Sequence, residues 1–377
     1  MKIELKGSTN GYKTKEEFLK FAQDAARVCY SEKDWDDIKE EPPNSNLINR
    51  TIKSGHHSPY EHIWLNFYMN EMPKALVMVL NNEKQYVTSE KSARYTQMKQ
   101  VSDEQREKYD KWMKILIPLI NKVYPASNEK DMRDMSIKKL AQENARYMTS
   151  VFTPTKMLHT INLRQLNFFM YEFEKFIFEN QNGNEFKKRL ASGMREFLEQ
   201  TKEFIIPDLR NQTDRHLNFF GEPVEEHFGD MYSTNYLMSF AGLAQAHRHR
   251  TIEYHVSKEI NLGASNGFFI PEIISSDKKL MNEWHGDLEK ISRNDFPQAQ
   301  LLLVSEMGSL RDFRSKMILR LCGHAQYEIM NNTLGTASEY SKTRPKIKNW
   351  IRPKCSQGMK CAEPCVWKSD MALERIV

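Results

Sequence analysis

The residues best suited to chemistry in this sequence are Arg248, His249 and Arg250, which are adjacent in the segment AQAHRHRTIEYHV. Three consecutive cationic or titratable side chains cannot all face a core, because an unpaired buried charge is costly and either shifts its pKa or finds a partner. We therefore expect an anionic group beside this triplet, and a phosphorylated ligand would supply one. A solvated basic turn is the alternative interpretation.

A second set of polar residues, Glu90, Ser92 and Arg94 in SEKSARY, lies far upstream of the triplet. An arginine beside a hydroxyl suits a phosphate, because the guanidinium forms bidentate charge-assisted hydrogen bonds that a lysine does not reproduce. Taken alone, however, the segment favours an exposed loop in which Glu90 pairs with Arg94 four residues later.

Two further pairs of arginines indicate a repeat. Arg146 precedes Arg164 by eighteen residues, and Arg293 precedes Arg311 by the same interval within a similar hydrophobic pattern. An internal duplication is the simplest cause of this spacing. The Pro-, Gly- and Asn-containing stretch IIPDLRNQTDRHLNFFGEP suits the junction of the two halves. We predict an N-terminal half over residues 1–205, a C-terminal half over 206–350 and a tail over 351–377.

The elements that must position these residues follow from apolar periodicity. Helical spacing is found in KTKEEFLKFAQDAARVCYSE, IKKLAQENARYM and LRQLNFFMYEFEKFIF. IWLNFYMN and KALVMVLNN are predicted as strands. The second half repeats this order, with YSTNYLMSFAGLAQAHRHR in the place of FYMNEMPKALVMVLNNEK.

The composition restricts the class of protein. The chain has 377 residues, a formal charge of +5 and 40% hydrophobic residues, and no apolar run reaches the length of a membrane helix. The beginning of the sequence lacks an apolar signal region, so we expect a soluble protein of the cytoplasm with no membrane partner. The mild positive charge suits phosphorylated small molecules, but it lacks the clustered basic face expected for nucleic acid.

The five cysteines are too few, and odd in number, for a disulfide framework. Cys29 and Cys322 lie in apolar-periodic segments and are predicted to be buried. Cys355, Cys361 and Cys365 are crowded into the tail, where three thiolates could bind zinc with a fourth ligand from elsewhere, although their spacing is not that of a usual zinc ribbon. We predict that no metal is required and that the tail is dispensable for cofactor binding.

These segments together resemble the flavin-dependent thymidylate synthases. The family has an AARV-type helix, an H-x-(S/T)-P-x-E-H segment, the signature RHR-x-x-S-x-N-x-x-S-x-R, and an N-x-R helix that leads to LR and HAQ-x-EI. The first half contains AARVCYSE, HHSPYEH, SEKSARY and INLR, and the second half contains QAHRHR and LRLCGHAQYEI. The resemblance implies an α+β fold of two tandem copies of the family fold, each a mixed sheet with flanking long helices.

The signature is divided between the two halves. The first half has Asn82, Glu83 and Lys84 in place of RHR but keeps the end of the signature, whereas the second half keeps the triplet and ends in Val256, Lys258 and Ile260. The resemblance implies one preserved dUMP site and one abandoned site. The residues implied to bind dUMP are Glu90, Ser92, Arg94 and Arg146 from the first half and Gln245 and Arg248 from the second.

The remaining implied roles concern catalysis and the flavin. Arg320 resembles the arginine that favours ionisation of the uracil N3 and so makes C5 nucleophilic, because a guanidinium stabilises developing negative charge. The alternative for Arg320 is a surface pair with Glu328, and Phe173 holds the equivalent place in the first half. The residues implied to bind FAD are His56, Ser58, Glu61, Asn162, Arg164, Arg248, His249 and Arg250.

The resemblance implies FAD-dependent C5 methylation of dUMP to dTMP, with methylenetetrahydrofolate as carbon donor and NADPH as reductant. A related pyrimidine-nucleotide hydroxymethyl transferase, or an inert homologue that binds nucleotide or flavin, is the alternative. The cysteine-dependent mechanism needs an activated thiolate, and Cys365 is a poor candidate because Val366 follows it. We expect a homodimer of two-half chains that imitates a tetramer, with each nucleotide site shared between chains.

Overall fold

The structure is a computed structural model that describes residues 1–98, 100–126, 130–209, 215–361, 365–367 and 369–377. The strands are β1 (Lys2–Ser8), β2 (Trp64–Pro73), β3 (Val87–Glu90), β4 (Pro154–Asn162), β5 (His227–Phe228), β6 (Met231–Ser239), β7 (Glu253–Val256) and β8 (Leu301–Ser309). The helices are α1 (Lys15–Val28), α2 (Trp35–Glu40), α3 (Ser45–Lys53), α4 (Lys74–Asn82), α5 (Asp103–Val123), α6 (Lys130–Ala145), α7 (Leu163–Glu179), α8 (Glu185–Thr201), α9 (Phe240–Ala246), α10 (Glu272–Ser275), α11 (Lys278–Ser292), α12 (Leu310–Arg320), α13 (Tyr327–Thr343) and α14 (Met371–Glu374).

The strands form two four-stranded sheets with equivalent orders, β1-β2-β4-β3 and β5-β6-β8-β7. Every ladder between these strands is antiparallel, in place of the mixed sheets that we expected. When the strands of each sheet are counted along the chain, a helix begins directly after the second strand and another directly after the fourth. The α+β class is therefore confirmed, and the matching sheet orders are what a duplication would leave.

The central strand β2 shows why these segments form sheets. Leu65, Phe67 and Met69 are buried, whereas the residues between them are partly exposed, because alternate side chains of a strand point to opposite faces. The prediction of a strand at IWLNFYMN is confirmed.

The strand predicted at KALVMVLNN is wrong, because these residues form α4. The helix is buried from Ala75 to Asn82, so its apolar residues show neither a helical nor an alternating pattern. Pro73 ends β2 and precedes the first residue of the helix, while Ala, Leu and Met favour the helix that follows.

The chain divides into two compact units. The first unit comprises residues 1–91 and 154–217, and the second comprises 92–153 and 218–377. The segment 92–153 packs into the core of the second unit, where Trp112 of α5 contacts Trp284 of α11 edge to face at 4.8 Å between ring centroids. Residues of both sequence halves thus share one core.

A short backbone pairing in the second unit relates equivalent positions of the repeat. Ser150 bridges Pro297, the Val151 amide donates to Phe296 O at 2.9 Å, and the Gln298 amide donates to Thr149 O at 2.8 Å. The bridge joins Ser150 to Pro297 at the same offset that relates Arg146 to Arg293, and the two hydrogen bonds lie symmetrically on either side of it. Each segment therefore contacts its own repeat equivalent, as expected for a pseudo-twofold arrangement of duplicated elements.

The tail packs against the second unit and is not detached from it. Ile273 donates its amide to Ile376 O at 3.1 Å, and Ala372 and Val377 are buried. Trp367 is also buried and contacts the Tyr124 ring edge to face. Among the helices of the described residues, none is both long and apolar enough to cross a membrane.

Candidate functional site

The second unit brings together arginines from both sequence halves, which we call the arginine group: Arg94, Arg146, Arg248, Arg320 and Arg375. Each lies at the end of a short element or helix. Arg94 lies in a turn closed by the Tyr95 and Thr96 amides on Ser92 O, and Arg146 follows α6 directly. Arg320 ends α12, and Arg248 and Arg375 follow α9 and α14.

Arg94 is mostly buried and is oriented by three groups. Its Nε donates to Glu143 Oε2, its Nη2 donates to His324 O at 3.0 Å, and its amide donates to Ser92 Oγ at 3.3 Å. Burial lowers and the Glu143 carboxylate raises the pKa of the Arg94 guanidinium, and the net shift is upward. The pair of Glu90 with Arg94 is therefore absent, and Glu143 takes its place.

Arg146 is held by neutral groups. Its Nη2 donates to Gln326 Oε1 at 2.7 Å and its Nε donates to Glu143 O at 3.2 Å. Gln326 Nε2 donates to Tyr147 Oη at 2.5 Å, and Tyr147 Oη donates to Glu328 Oε2 at 2.6 Å. Burial lowers the pKa of Arg146, and the charge of Arg94 adds to that lowering, while the nearby Tyr147, Glu143 and Glu328 oppose it.

Glu328 anchors this chain of hydrogen bonds and does not pair with Arg320 as the alternative interpretation required. The carboxylate accepts from the amide and hydroxyl of Ser239 at 2.6 and 2.7 Å as well as from Tyr147. Burial raises the pKa of Glu328, and the hydrogen bonds from Ser239 and Tyr147 oppose that rise. Gly242 is required beside it, since a Cβ there would lie 2.8 Å from Glu328 Cδ.

Arg320 is also bound by neutral acceptors. Its Nε donates to His249 Nε2 at 2.6 Å, and its Nη2 donates to Gln245 O at 3.2 Å. Burial lowers the pKa of Arg320 to about 10, and the charges of Arg94 and Arg248 contribute to this reduction. The guanidinium stays charged at neutral pH and lacks a carboxylate partner among the described residues.

His249 is buried and neutral. Burial lowers its pKa to about 2, and the neighbouring charges of Arg320 and Lys316 add to that effect. Its Nε2 accepts from Arg320, so the proton of the neutral ring lies on Nδ1. Arg248 and Arg250 are exposed, whereas His249 between them is buried.

Gln245 presents an unused donor next to these arginines. Its side chain is buried, and within the described residues Nε2 has no hydrogen-bond partner. A buried amide donor without a partner costs free energy that a bound acceptor would recover. Arg248, three residues later, is exposed and forms no salt bridge within the described part of the chain.

The electrostatics of the arginine group are one-sided. Within the residues that the structure describes, the pair of Arg94 with Glu143 is the salt bridge of the group. Burial lowers the pKa values of Arg146, Arg320 and Arg375, and the charge of Arg94 adds to that lowering, while the Glu143 carboxylate opposes it at Arg146 and Arg375. Such an excess of cations favours an anionic ligand, and a phosphate suits arginine because the guanidinium can form bidentate charge-assisted hydrogen bonds with it.

Glu90, which was expected to bind dUMP, is the last residue of β3 and belongs to the first unit. Lys74 Nζ donates to both of its carboxylate oxygens, at 2.6 and 2.8 Å. The structure thus assigns Glu90 a lysine partner in its own unit.

The other residues expected to bind the flavin also lie in the first unit. Glu61 accepts a hydrogen bond from Arg164, and Asn162 Oδ1 caps α7 by accepting from the Gln165 amide at 2.7 Å. His56 and Ser58 flank the buried His57, whose Nε2 lies 2.9 Å from Ile52 O. Three of these side chains are therefore already engaged within the protein.

The first unit balances its charges where the second does not. Arg215 stacks over the Phe168 ring at 4.0 Å and donates to Lys84 O at 2.9 Å. Burial lowers its pKa, Arg164 lowers it further, and the carboxylates that oppose this shift are Glu83, Glu61 and Glu172. The buried Glu83 disfavours a phosphate at this position, and the buried Phe173 stands where Arg320 stands in the second unit.

Residues that sequence reasoning missed surround the arginine group. Gln326 and Glu328 lie in HAQYEI, so the motif was visible although their roles were not. Glu143 and Arg375 gave no local signal. Lys316 was also missed, although it is wholly buried and donates to Glu306 Oε2 at 2.5 Å behind His249.

The cysteines take positions that the sequence did not fully predict. Cys29 is exposed and Cys322 is partly exposed, although both were expected to be buried. Burial raises the pKa of the Cys365 thiol, and Cys322, Cys361 and Cys355 are close enough to contribute. Among the described residues, no group of three or more Cys, His, Asp or Glu side chains is arranged to hold a metal ion.

Comparison with known proteins gives related sequences and structures. A family model described as Thymidylate synthase complementing protein (Thy1) matches residues 13–173. The flavin-dependent thymidylate synthase of Clostridium tetani is 27% identical over 191 residues, which is 44% of this chain and 76% of that protein.

Two solved structures are also similar. One is thymidylate synthase X from Helicobacter pylori with FAD and dUMP, at 18% identity and a TM-score of 0.32, over 55% of this chain and 99% of that chain. The other is the UMP/dUMP methylase PolB from Streptomyces cacaoi bound with 5-Br dUMP, at 20% identity and a TM-score of 0.29, over 45% of this chain and 76% of that chain.

Proposed function

We propose that the chain is a flavin-dependent thymidylate synthase, which the family match over residues 13–173 supports, and that it methylates dUMP at C5 to give dTMP. We place the nucleotide at the arginine group of the second unit, with one such site in each chain. FAD would be the cofactor, methylenetetrahydrofolate the carbon donor and NADPH the reductant.

The observation that carries this proposal is the excess positive charge of the arginine group. Five guanidinium groups have one salt bridge among the described residues and the nearby carboxylates Glu143 and Glu328, so the excess positive charge favours a bound anion. The phosphate of dUMP is such an anion, and Arg248 can receive it because it is exposed and forms no salt bridge with any described residue. Ser92, Arg94 and Arg146 would complete the phosphate and sugar contacts.

Gln245 and Arg320 are suited to the base. The buried Nε2 of Gln245 can donate to a uracil carbonyl, because no described residue accepts from it. Arg320 is fixed by His249 and Gln245 O, so it can direct its remaining N–H groups at the ring without reorganising. A fixed guanidinium would stabilise the negative charge that develops when N3–H ionises, and C5 would become nucleophilic as a result.

The residues proposed for FAD fit it in part. Arg248 and Arg250 are exposed after α9, which suits the anionic diphosphate and the anionic reduced ring. His56, Ser58, Glu61, Asn162 and Arg164 remain proposed contacts, although Glu61, Asn162 and Arg164 would have to exchange the partners that they have now. The bound flavin would supply the reducing equivalents that turn the transferred carbon into a methyl group.

Tritium release from C5-labelled dUMP, in the presence of FAD, NADPH and methylenetetrahydrofolate, tests the proposal. We expect release by the wild type and a loss of about 10²-fold or more in Arg320→Lys, since one ammonium cannot reproduce both donor directions. Arg314→Lys is a control on the same helix, where Arg314 stacks on Trp350. Chromatography of the product would distinguish a methyl from a hydroxymethyl group, and a wild type without tritium release would indicate an inert homologue.

A further inference from the structure

The C-terminal segment, residues 369–377, ends next to the arginine group. Arg375 is 4% exposed. Its Nη1 donates to Gly323 O at 3.2 Å and to Val377 O at 3.1 Å, and its Nη2 donates to Ala325 O at 2.5 Å. Because all three acceptors are backbone oxygens, the buried guanidinium fixes the main chain of the residues that it binds.

Two of the three carbonyls that Arg375 binds belong to residues 321–326, which we call the 321–326 loop. This loop connects Arg320, the last residue of α12, to α13. Arg375 takes Gly323 O and Ala325 O, and Arg94 takes the intervening His324 O at 3.0 Å. The next side chain along the loop, Gln326, accepts from Arg146 at 2.7 Å. Three consecutive carbonyls and one amide are thus fixed by three arginines.

The C-terminal segment is itself firmly anchored. Ile376 O accepts from the Ile273 amide, and Ala372 and Val377 are buried. On the loop side, a Cβ at Gly323 would lie 2.7 Å from Trp367 Cβ and 2.9 Å from Cys365 Sγ, so only glycine permits this close approach. The loop is held between the tail on one side and Arg94 and Arg146 on the other.

We propose that Arg375 is a positioning residue for the nucleotide site, and that it acts by fixing the 321–326 loop so that Arg94, Arg146 and Arg320 hold their places around the ligand. This inference rests on the proposed function. Lysine cannot replace Arg375, because a single ammonium cannot reach two carbonyls two residues apart in the plane that a guanidinium spans. The C-terminal segment is then part of the site and is not dispensable.

The test compares Arg375→Lys with the wild type in the full chain loaded with FAD. We expect the dissociation constant for dUMP, measured by calorimetry, and the KM for dUMP in the tritium assay to rise at least tenfold in Arg375→Lys, with a smaller change in kcat. Arg133→Lys is the matched control, because Arg133 binds Asn121 O and Oδ1 in the same unit away from the arginine group. If Arg375 had a purely structural role, Arg375→Lys would behave like Arg133→Lys, with a lower Tm and an unchanged KM for dUMP.

Hydrogen exchange on the wild type gives a second measurement that does not depend on folding of a variant. Binding of dUMP should increase protection of the amides of residues 321–326 and 371–377 together. Unchanged protection there, or an Arg375→Lys protein that binds dUMP as tightly as the wild type, would overturn the inference while the proposed function stands. A wild type that neither binds dUMP nor releases tritium would overturn both.

Discussion

Arg320 directs its described hydrogen bonds to groups without formal charge, the imidazole of His249 and the carbonyl of Gln245. A guanidinium with a carboxylate partner would have its charge cancelled before a ligand arrived. Neutral acceptors fix its orientation and leave its charge to act on the ligand. The same reasoning applies to Arg146, whose partners are the Gln326 side chain and Glu143 O.

The buried His249 predicts a pH dependence of stability. Its folded-state pKa is lowered to about 2, whereas an unfolded histidine titrates near about 6.5. Between these values the unfolded chain binds a proton that the folded chain does not, so the free energy of unfolding falls as pH decreases below about 6.5. Urea denaturation at about pH 7.5 and pH 5 should show a smaller loss for His249→Asn than for the wild type. Equal losses would argue against a neutral, buried His249.

Gln245 predicts a substitution that separates stability from binding. Gln245→Leu should leave the free energy of unfolding unchanged or raise it, because an unbonded buried amide contributes a desolvation cost of about 1–3 kcal/mol. The same variant should bind dUMP at least tenfold more weakly. Gln105→Leu is the control, since both ends of Gln105 are bonded, to Asp295 and to the Ser150 amide, and its loss should destabilise the fold. Chemical denaturation and calorimetry measure the two effects.

At the scale of elements, the periodic segments were predictable and the fully buried one was not. Buried and partly exposed residues alternate along β2, and the strand predicted there is confirmed. α4 is apolar on all sides, so its sequence did not distinguish a strand from a helix. The arginines of the candidate site were found through the resemblance, whereas Glu143 and Arg375 act through contacts distant in sequence that no local pattern encodes.

The buried ion pair between Lys316 of α12 and Glu306 of β8 predicts how the fold responds when one partner is removed. Lys316 and Glu306 are both wholly buried, and Tyr232 also donates to Glu306 at 2.5 Å. Lys316→Met alone should cost about 3–5 kcal/mol, because it leaves a buried carboxylate without its cation. Adding Glu306→Gln should recover part of that loss. A double variant less stable than the single one, in urea denaturation, would contradict this account.

The whole molecule combines sequence halves in a way that the repeat alone did not predict. Residues 92–153 come from the first half but share a core with the second unit, so Arg94 and Arg146 meet the loop after Arg320 within one chain. We therefore propose that these residues complete a site within one chain. The homodimer of two-half chains stays a prediction.

A mixing experiment tests this arrangement. Arg94→Ala and Arg248→Ala should each abolish nucleotide binding, with a loss on the order of 2–5 kcal/mol. When the two variants are unfolded together and refolded as a mixture, activity should not return, because each chain still lacks one arginine of its own site. Recovery toward a quarter or more of wild-type activity would mean that partner chains complete the site.

The number of nucleotides bound per chain tests the central claim most directly. The second unit holds the arginine group, whereas the equivalent region of the first unit holds the buried Glu83 and has Phe173 in the place of Arg320. Calorimetric titration of the FAD-loaded protein with dUMP should therefore saturate at one nucleotide per chain, and Arg320→Ala should reduce binding at that single site. Saturation at two nucleotides per chain would contradict the assignment of one working site to the second unit.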